Sequence, residues 1–438
     1  MLSCGQVDIE SMKSIADNKR EQHLRYLEMI SRYGEHLHEK DNGPKERVVS
    51  SRLKTDTRIN AEGIDERIGA LKRLTGTKME FLNGKQMLND LSLLEGNIEN
   101  YIGMTAVPTG VIGPVLVAGI DAHGEFYVPL ATSEGALVAS FHRGAKACYL
   151  AGGASAVCTN EAVQRCPTFK FANLAALGEF LAWLFPNIDG FSDIVAQNSR
   201  YAKLLDVKAN IEGNHLTLVF DYQTGDASGQ NMVTLCTDAI CRYMLEHSPV
   251  KPLSWYIEGN FSGDKKATAV SFTHVRGKKV TAEIVLPQHV VTEVLKTTPL
   301  VMADYWRTST IGAIQSGAIG AQGHYANGLA ALFLATGQDV ACVAEAATGI
   351  TRMECDASGD LYASITLPNL IVGTVGGGTG LPTQRECLEM MDCYGPGKAN
   401  KFAEICAAVL LAGELSIAAA LAAGHFSAAH KNLGRKTQ

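Results

Sequence analysis

Apolar residues recur at two spacings along this 438-residue chain, one typical of helices and one of strands. Leu24, Leu27 and Ile30 lie three residues apart, which predicts an amphipathic helix near the N-terminus. The sequence Asp41-Asn42-Gly43-Pro44 breaks that helix, and a second one is predicted through residues 64–71. We therefore expect residues 1–95 to form a helical N-terminal region.

Two later changes of composition predict two domains. Residues 98–153 are rich in Gly, Ala and Val, which favours close helix packing and marks the start of a large domain. Near Pro167 shorter strand and helix patterns begin. The predicted strands are 169–171, 216–222 and 281–286, and the predicted helices are 174–184, 232–247, 327–334 and 402–425.

These patterns predict an α+β fold. The large, mostly helical domain takes in residues 96–166 and 257–438, and a small α+β domain is inserted at 167–256. With 46% hydrophobic and 19% charged residues, the chain is long and apolar enough to bury a large core. A net charge of −6 without a dense Lys/Arg run argues against nucleic-acid binding.

Cysteine usage and the apolar windows point to a cytoplasmic protein. The eleven cysteines form no Cys-x-x-Cys pair, which indicates reduced thiols. Cys236 and Cys241 are five residues apart on a predicted helix and so do not share a face, and we expect no metal. The N-terminus lacks a secretory signal pattern, and the Ala-rich window 407–426 carries Glu414, which favours a buried helix over a membrane anchor.

Candidate chemistry begins at Glu134, which lies in the small and apolar run 130–140. Desolvation there would keep the carboxyl protonated and able to donate a proton, although a solvated carboxylate at a helix start is equally consistent. The remaining candidates have plain alternatives too. Lys265 and Lys266 fit a solvated pair, Asp339 a turn after a helix, and His430 a helix terminus.

The glycine-rich segment 373–380 does not match a Rossmann fingerprint, because Leu381 stands where the third glycine belongs. Segment 259–265 does not match a P-loop, because only three residues separate its glycines. On local sequence alone, segment 373–380 fits a tight structural loop or a loop whose bare backbone approaches a dinucleotide.

Several motifs, in this order along residues 99–430, together resemble the 3-hydroxy-3-methylglutaryl-coenzyme A reductase family, closer to its class I type. They are Glu99-Asn100-Tyr101-Ile102-Gly103, Pro108-Thr109-Gly110-Val111-Ile112-Gly113-Pro114, the Glu134 segment, Gly225-Asp226-Ala227-Ser228-Gly229-Gln230-Asn231-Met232, Asp264-Lys265-Lys266, Gly337-Gln338-Asp339, Gly373-Thr374-Val375-Gly376-Gly377-Gly378-Thr379 and His430.

The resemblance implies NADPH-dependent reduction of an acyl-CoA thioester to an alcohol by two hydride transfers. Lys265 would stabilise the oxyanions, His430 would protonate the CoA thiolate, Glu134 would protonate the aldehyde oxygen, and Asp339 would tune Lys265 and Glu134. It also implies that the inserted domain is ferredoxin-like and binds NADP, and that a homodimer or dimer of dimers shares its active sites between protomers.

Binding residues follow from the same resemblance. The expected cofactor contacts are Ser199, Arg200, Asp226, Ser228, Gly376, Gly377, Gly378 and Thr379, with Arg200 on the 2′-phosphate. The expected substrate contacts are Arg143, Lys146, His324 and His425 for CoA, Arg165, Asp264, Lys266 and Asn327 for the acyl group, and Asn231 near the nicotinamide.

The chain departs from the family pattern around the acyl end. Glu258 replaces a serine, Thr308 replaces a lysine with Arg307 next to it, and Val343 replaces an asparagine. An added carboxylate and a lost cation would weaken a site for an acyl carboxylate. Three hypotheses follow: reduction of 3-hydroxy-3-methylglutaryl-CoA to mevalonate, reduction of another acyl-CoA or carrier-protein thioester, or a non-catalytic sensor of CoA ligands. Retention of the four catalytic candidates argues against the sensor.

Overall fold

The computed structural model describes residues 59–424 and the single residues 27 and 31. The rest of the predicted N-terminal region, residues 1–58, lies outside the described residues, as do His425 and His430. The α-helices of the described part are α1 Ala61–Thr75, α2 Leu137–Leu150, α3 Leu174–Asn187, α4 Phe191–Asn198, α5 Gln230–His247, α6 Gln288–Val290, α7 Pro299–Ser316, α8 Tyr325–Thr336, α9 Val343–Ala346, α10 Pro382–Met390 and α11 Ala399–Ala422.

The strands form one continuous sheet system. They are β1 Thr109–Gly119, β2 His123–Ala131, β3 Ala154–Arg165, β4 Thr168–Lys170, β5 Lys203–Glu212, β6 His215–Gln223, β7 Ser254–Tyr256, β8 Gly277–Leu286, β9 Ile350–Cys355 and β10 Leu361–Leu370. Short 3-10 turns cover Leu91–Leu94, Ile188–Gly190, Ala269–Phe272, Val340–Cys342 and Gly377–Gly380, and a π-helical turn covers Val291–Leu295.

A six-stranded mixed sheet contributes to the larger of the two hydrophobic cores. Its strand order is β2-β1-β3-β8-β10-β9. Strands β1 and β3 run parallel, and the other neighbours are antiparallel. Strand β10 shows why the sheet forms here. Its alternate residues Leu361, Ala363, Ile365 and Leu367 are fully buried, which is the period-two burial of a strand.

Strand β3 continues out of this sheet into a smaller one. Its last three residues pair with β6, with Val163 opposite Tyr222. Strand β6 also pairs with β5 and β4, and β4 pairs with the short strand β7. Helices α3, α4 and α5 contribute buried residues to a separate core on this sheet, among them Phe180, Val195 and Ile240. The two sheets therefore have their own cores and share one strand.

Helix α11 lies in the interior of the larger core. It is long and apolar enough by composition to cross a membrane, but 83% of its most apolar window is buried inside the protein, as in the core helix of a folded domain. It packs on α2, α8 and strands β3, β8 and β10. The approach to α2 is close: a Cβ added to Gly144 would lie 1.8 Å from the carbonyl oxygen of Ala412.

The structure confirms the α+β fold class, and most predicted elements are present. Two parts of the sheet were not predicted. Residues 109–131 were expected to pack as helices but form the β1/β2 hairpin, because a run of buried residues on both strands hides the alternation that marks a strand. Helices dominate beyond residue 286 as expected, but the strands β9 and β10, which extend the sheet from β8, were not among the predicted strands.

The close helix crossing gives a stability prediction. Gly144→Ala should lower the free energy of unfolding by about 1–3 kcal/mol or more, because the added methyl group meets the α11 backbone. Gly178→Ala is the matched control, since Gly178 lies exposed on α3 with no neighbour within 4 Å. Gly178→Ala should instead raise the free energy of unfolding by about 0.5–1 kcal/mol, because alanine is the better helix former. Urea unfolding of both variants checks the pair, and equal effects would contradict the predicted crossing.

Candidate active site

Lys265 and Asp339 form the most direct contact between predicted catalytic residues. Lys265 lies in the loop between β7 and β8, and Asp339 follows the C-cap of α8. The Lys265 Nζ atom is 2.8 Å from Asp339 Oδ2, with both side chains partly exposed. The hydrogen bond to Asp339 raises the pKa of Lys265 above its ordinary value, so the ammonium stays charged at neutral pH. Asp339 also begins the turn Val340–Cys342 by accepting the N–H of Ala341.

A buried ion-pair network underlies this contact. The backbone N–H of Lys265 donates to Glu345 Oε1 at 3.2 Å, and Glu345 Oε2 lies 2.6 Å from Arg276 Nε. The same guanidinium contacts Asp264 Oδ1 at 2.6 Å. Burial alone would raise the pKa of Asp264, but Arg276 and Arg165 lower it below its ordinary value. Neither Arg276 nor Glu345 was among the predicted site residues, although the lone charge of Glu345 within the apolar run 341–347 was a usable signal.

Arg165 lies at the other side of Asp264 and is shared by two carboxylates. Its Nη1 atom is 3.1 Å from Asp264 Oδ2 and 3.5 Å from Glu258 Oε2. Glu258 also accepts the N–H groups of Cys166 and Ser262. The unusual Glu258 therefore does not stand apart as a solvated charge; it is a direct partner of a predicted acyl-contact residue.

Glu134 lies in a different environment from the one expected. It is exposed in the loop between β2 and α2, where the small neighbours Ser133 and Gly135 leave it open to solvent. The expectation that this carboxyl is desolvated is therefore wrong for the single chain. Its Oε2 atom accepts a hydrogen bond of 2.7 Å from Nδ2 of Asn327, a predicted acyl contact.

The two pairs lie at opposite ends of α8. Asn327, the partner of Glu134, is in the first turn of this helix, and Asp339, the partner of Lys265, follows its last residue. At 1.5 Å per residue, the nine helical steps from Asn327 to Thr336 rise about 14 Å, and Asp339 follows three residues later. Within one chain, Glu134–Asn327 and Lys265–Asp339 are therefore two separate pairs.

Three of the predicted CoA contacts, His324, Arg143 and Lys146, lie in the described part of the chain. The His324 Nδ1 atom is 3.1 Å from Glu414 Oε1, and the His324 ring stacks on Phe141. Burial alone would raise the pKa of Glu414, but the hydrogen bond from His324 lowers it below its ordinary value. Arg143 on α2 donates to the side chain and carbonyl of Ser416 on α11, and Lys146 lies one turn further along α2.

The glycine-rich segment lies against the Asp339 end. A Cβ on Gly337 would lie 2.2 Å from the carbonyl oxygen of Gly378, so the two backbones are in direct contact. Gln338 both accepts from the N–H of Gly373 and donates to its carbonyl. Gly376 has a φ of 74°, a conformation that favours glycine, and Thr379 closes the turn by donating to its carbonyl.

Asp226 ties this segment to the small sheet. Its carbonyl accepts the N–H of Thr374, and its carboxylate accepts the N–H groups of residues 397, 398 and 399 at the start of α11. Ser228 lies against Gly373, where an added Cβ would be 2.6 Å from the Ser228 N atom. The carboxylate of Asp226, predicted to contact a cofactor, is thus occupied as a helix cap in this chain.

The remaining predicted contacts are at the surface. Arg200 is exposed just after α4, where the Ser199 hydroxyl accepts the N–H groups of Tyr201 and Ala202. Asn231 is exposed in the first turn of α5, and the Lys266 ammonium donates to the carbonyl of Asp264. Among the described residues, no group of three or more His, Cys, Asp or Glu side chains is placed to hold a metal ion.

Comparison with known proteins decides the family. The sequence model for hydroxymethylglutaryl-coenzyme A reductase matches residues 63–435. The chain is 45% identical over 375 residues to the 3-hydroxy-3-methylglutaryl-coenzyme A reductase of Pyrococcus horikoshii, covering 84% of this chain and 90% of that protein. It is 40% identical over 367 residues to that of Methanothermobacter thermautotrophicus, covering 83% and 91% respectively. The chain belongs to the hydroxymethylglutaryl-coenzyme A reductase family.

Solved structures agree on the fold. The class II 3-hydroxy-3-methylglutaryl-CoA reductase of Streptococcus pneumoniae, determined bound to NADPH in open conformations, superposes with a TM-score of 0.66. The alignment covers 82% of this chain and 86% of that one, at 21% sequence identity. At 21% identity, this structural similarity supports the fold alone.

The three departures from the family pattern lie at different places in the fold. Glu258 is bound to Arg165 as described above. Arg307, adjacent to Thr308, pairs with Asp304 at 3.0 Å on the exposed side of α7. Val343 begins α9 and packs against the main core. Of the three, only Glu258 has a direct ionic contact with a predicted substrate residue in the described part of the chain.

Proposed function

We propose that this protein is an NADPH-dependent reductase that converts 3-hydroxy-3-methylglutaryl-CoA to mevalonate and CoA. The single observation that carries the proposal is the Lys265–Asp339 ion pair beside the glycine-rich segment, in a chain that belongs to the reductase family. A fixed ammonium next to a bare backbone suits a reaction in which a carbonyl oxygen becomes negatively charged.

The chemistry assigns a role to each group. When bound, each NADPH molecule supplies one hydride, so the two hydride transfers use two NADPH molecules. Lys265 stabilises the oxyanion formed at the thioester carbonyl, and the collapsing hemithioacetal expels a CoA thiolate that His430 protonates. Lys265 then stabilises the second oxyanion at the aldehyde stage, and Glu134 gives its oxygen the proton that completes the primary alcohol. Asp339 orients Lys265 through the 2.8 Å contact.

The binding residues keep their predicted assignments. The segment 376–379 fits a dinucleotide, because Gly376 and Gly377 have open space where a side chain would project. The exposed guanidinium of Arg200 suits a 2′-phosphate, which favours NADPH over NADH. Asp226 and Ser228 shape this side by holding segment 373–375 in place. The acyl group is assigned to the neighbourhood of Arg165, Asp264, Lys266 and Asn327.

We also propose the domain division 96–166 plus 257–438 and 167–256, which the two separate cores support. The smaller unit is assigned to the cofactor, with residues 1–95 as the N-terminal region. The charge balance and free thiols support a cytoplasmic location.

Assembly is the finer part of the proposal. Glu134 and Lys265 act on the same carbonyl, yet their partners lie at opposite ends of α8, which rises about 14 Å from Asn327 to its last residue. A homodimer, or a dimer of dimers, resolves this if Glu134 of one protomer meets Lys265 of another. The exposed apolar residues Ile98, Ile102 and Met104 support a partner surface at the Glu99–Gly103 motif.

A second candidate function is supported by Glu258. Its contact with Arg165 places negative charge where an acyl carboxylate would be expected to bind. A reductase with the same machinery and an acyl group that lacks a carboxylate fits this observation. The acyl-CoA specificity therefore has to be measured directly.

The first test is NADPH oxidation with a panel of acyl-CoA substrates, scored for CoA release and alcohol formation. Wild-type protein should turn over 3-hydroxy-3-methylglutaryl-CoA with NADPH in preference to NADH. Lys265→Ala should lower kcat by about 10²-fold or more, because an oxyanion loses its counter-charge. Binding of NADPH should be little changed. Near-normal turnover in this variant would remove Lys265 from the mechanism.

The second test concerns Glu258. Glu258→Ser removes one of the two carboxylates at Arg165 and should lower KM for 3-hydroxy-3-methylglutaryl-CoA by about two- to fivefold, the range for a partly exposed charge. KM for acetyl-CoA or another acyl-CoA without a carboxylate should not change. Glu354→Ser, in the exposed pair with Arg352, is the matched control. Equal changes for both substrates would separate Glu258 from acyl recognition.

The third test concerns the shared site. Mixed subunits of Glu134→Gln and Lys265→Ala, each inactive alone, should recover part of the activity, because hybrid dimers contain one intact composite site. Subunit exchange is verified independently with differently tagged chains. Demonstrated exchange without any return of activity would show that both groups act within one protomer.

A further inference from the structure

The backbone of Lys265 has an unusual conformation for its residue type. Its φ is 58°, in the left-handed region that side chains other than glycine, asparagine and aspartate seldom adopt. Such a conformation persists only where surrounding contacts enforce it. The Lys265 backbone N–H donates a hydrogen bond to Glu345, which lies on α9, 80 residues further along the chain.

Glu345 and Arg276 are a buried pair. Their side chains are 0% and 3% exposed, and the Nε to Oε2 distance is 2.6 Å. Arg276 also contacts Asp264, the residue immediately before Lys265. Two consecutive residues of the loop are therefore tied to one guanidinium, Asp264 directly and Lys265 through Glu345.

Arg276 in turn is fixed to the sheet. Its Nη1 atom donates to the carbonyl of Gln164 at the end of β3, and its backbone N–H donates to Asn369 near the end of β10. Although burial lowers its pKa, the carboxylates of Glu345 and Asp264 raise it above the ordinary value, so the charge is retained. The loop is thus tied to the ends of strands β3 and β10 through Arg276.

We propose that the buried Arg276–Glu345 pair is a positioning element that holds the Lys265 backbone in its left-handed conformation and so directs the Lys265 ammonium at Asp339 and the reacting carbonyl. The inference deepens the proposed function, since it assumes that Lys265 acts at the carbonyl. Arg276 and Glu345 themselves are positioning residues without contact to substrate.

Two matched double variants separate positioning from stability. Removing Glu345 alone takes away one of the two carboxylates that neutralise the buried Arg276 and risks unfolding, whereas replacing both partners with neutral side chains of similar volume is tolerated better. Arg276→Met/Glu345→Gln keeps an amide oxygen that accepts from Lys265, and Arg276→Met/Glu345→Met removes it. The two proteins have the same charge and nearly the same shape. We expect kcat of the Met variant to be about tenfold or more below that of the Gln variant, with KM and melting temperature similar.

A second readout does not depend on turnover. Acetylation of Lys265 by acetic anhydride, followed by peptide mass spectrometry and normalised to the exposed Lys203, reports whether the ammonium still pairs with Asp339. Labelling should be slow in the wild type and severalfold faster in the Met variant. Glu404→Gln is the control, because Glu404 on α11 is an equally buried carboxylate that accepts the backbone N–H groups of Asp121 and Ala122.

The outcomes are distinct. A Met double variant that labels Lys265 at the wild-type rate overturns the proposal, whatever its turnover, and so does equal labelling of the Glu404→Gln control. Wild-type protein that reduces no acyl-CoA would instead contradict the proposed function, while the labelling rates would still decide whether this pair positions Lys265.

Discussion

The buried guanidinium of Arg276 is the constraint on which the candidate site depends. A charge removed from water is tolerated only with close opposite charges, and Arg276 has two, Glu345 and Asp264. Because Glu345 lies on α9 and Asp264 in the loop between β7 and β8, satisfying Arg276 fixes these two segments relative to each other. Arg165 is a second arginine with two carboxylate partners, Asp264 and Glu258, and Asp264 therefore contacts both arginines. The geometry at Lys265 is therefore a consequence of where buried charges must be neutralised.

Close backbone contact at the end of α8 brings the rest of the site together. Gly337 ends this helix and touches Gly378, while Gln338 binds both backbone groups of Gly373. Asp226 links the same segment to the start of α11. Side chains at these glycines would separate the loops, so the absence of Cβ atoms is what lets the glycine-rich segment lie next to Lys265 and Asp339.

The length of α8 separates two functions that the chemistry needs in one place. Its first turn holds Asn327 beside Glu134, and its end presents Asp339 to Lys265. A rigid helix cannot shorten, so a single chain offers the ammonium and the acid at different points. Association of protomers then has a catalytic purpose in the proposed function, and the exposed Ile102 marks a surface on which it would occur.

The sequence by itself determined the elements with clear periodicity, such as α5, β6 and α8, and the motifs that indicated the family, because both are local patterns. The strands β1 and β2 were not predicted from it, because their continuous buried runs lack the alternation of apolar and polar residues that marks a strand. The tertiary structure alone decided that Glu134 is exposed, that Glu258 binds Arg165, and that Glu345 supports Lys265. The reason is physical: burial and charge pairing depend on which distant segments pack together, and a local pattern does not encode that.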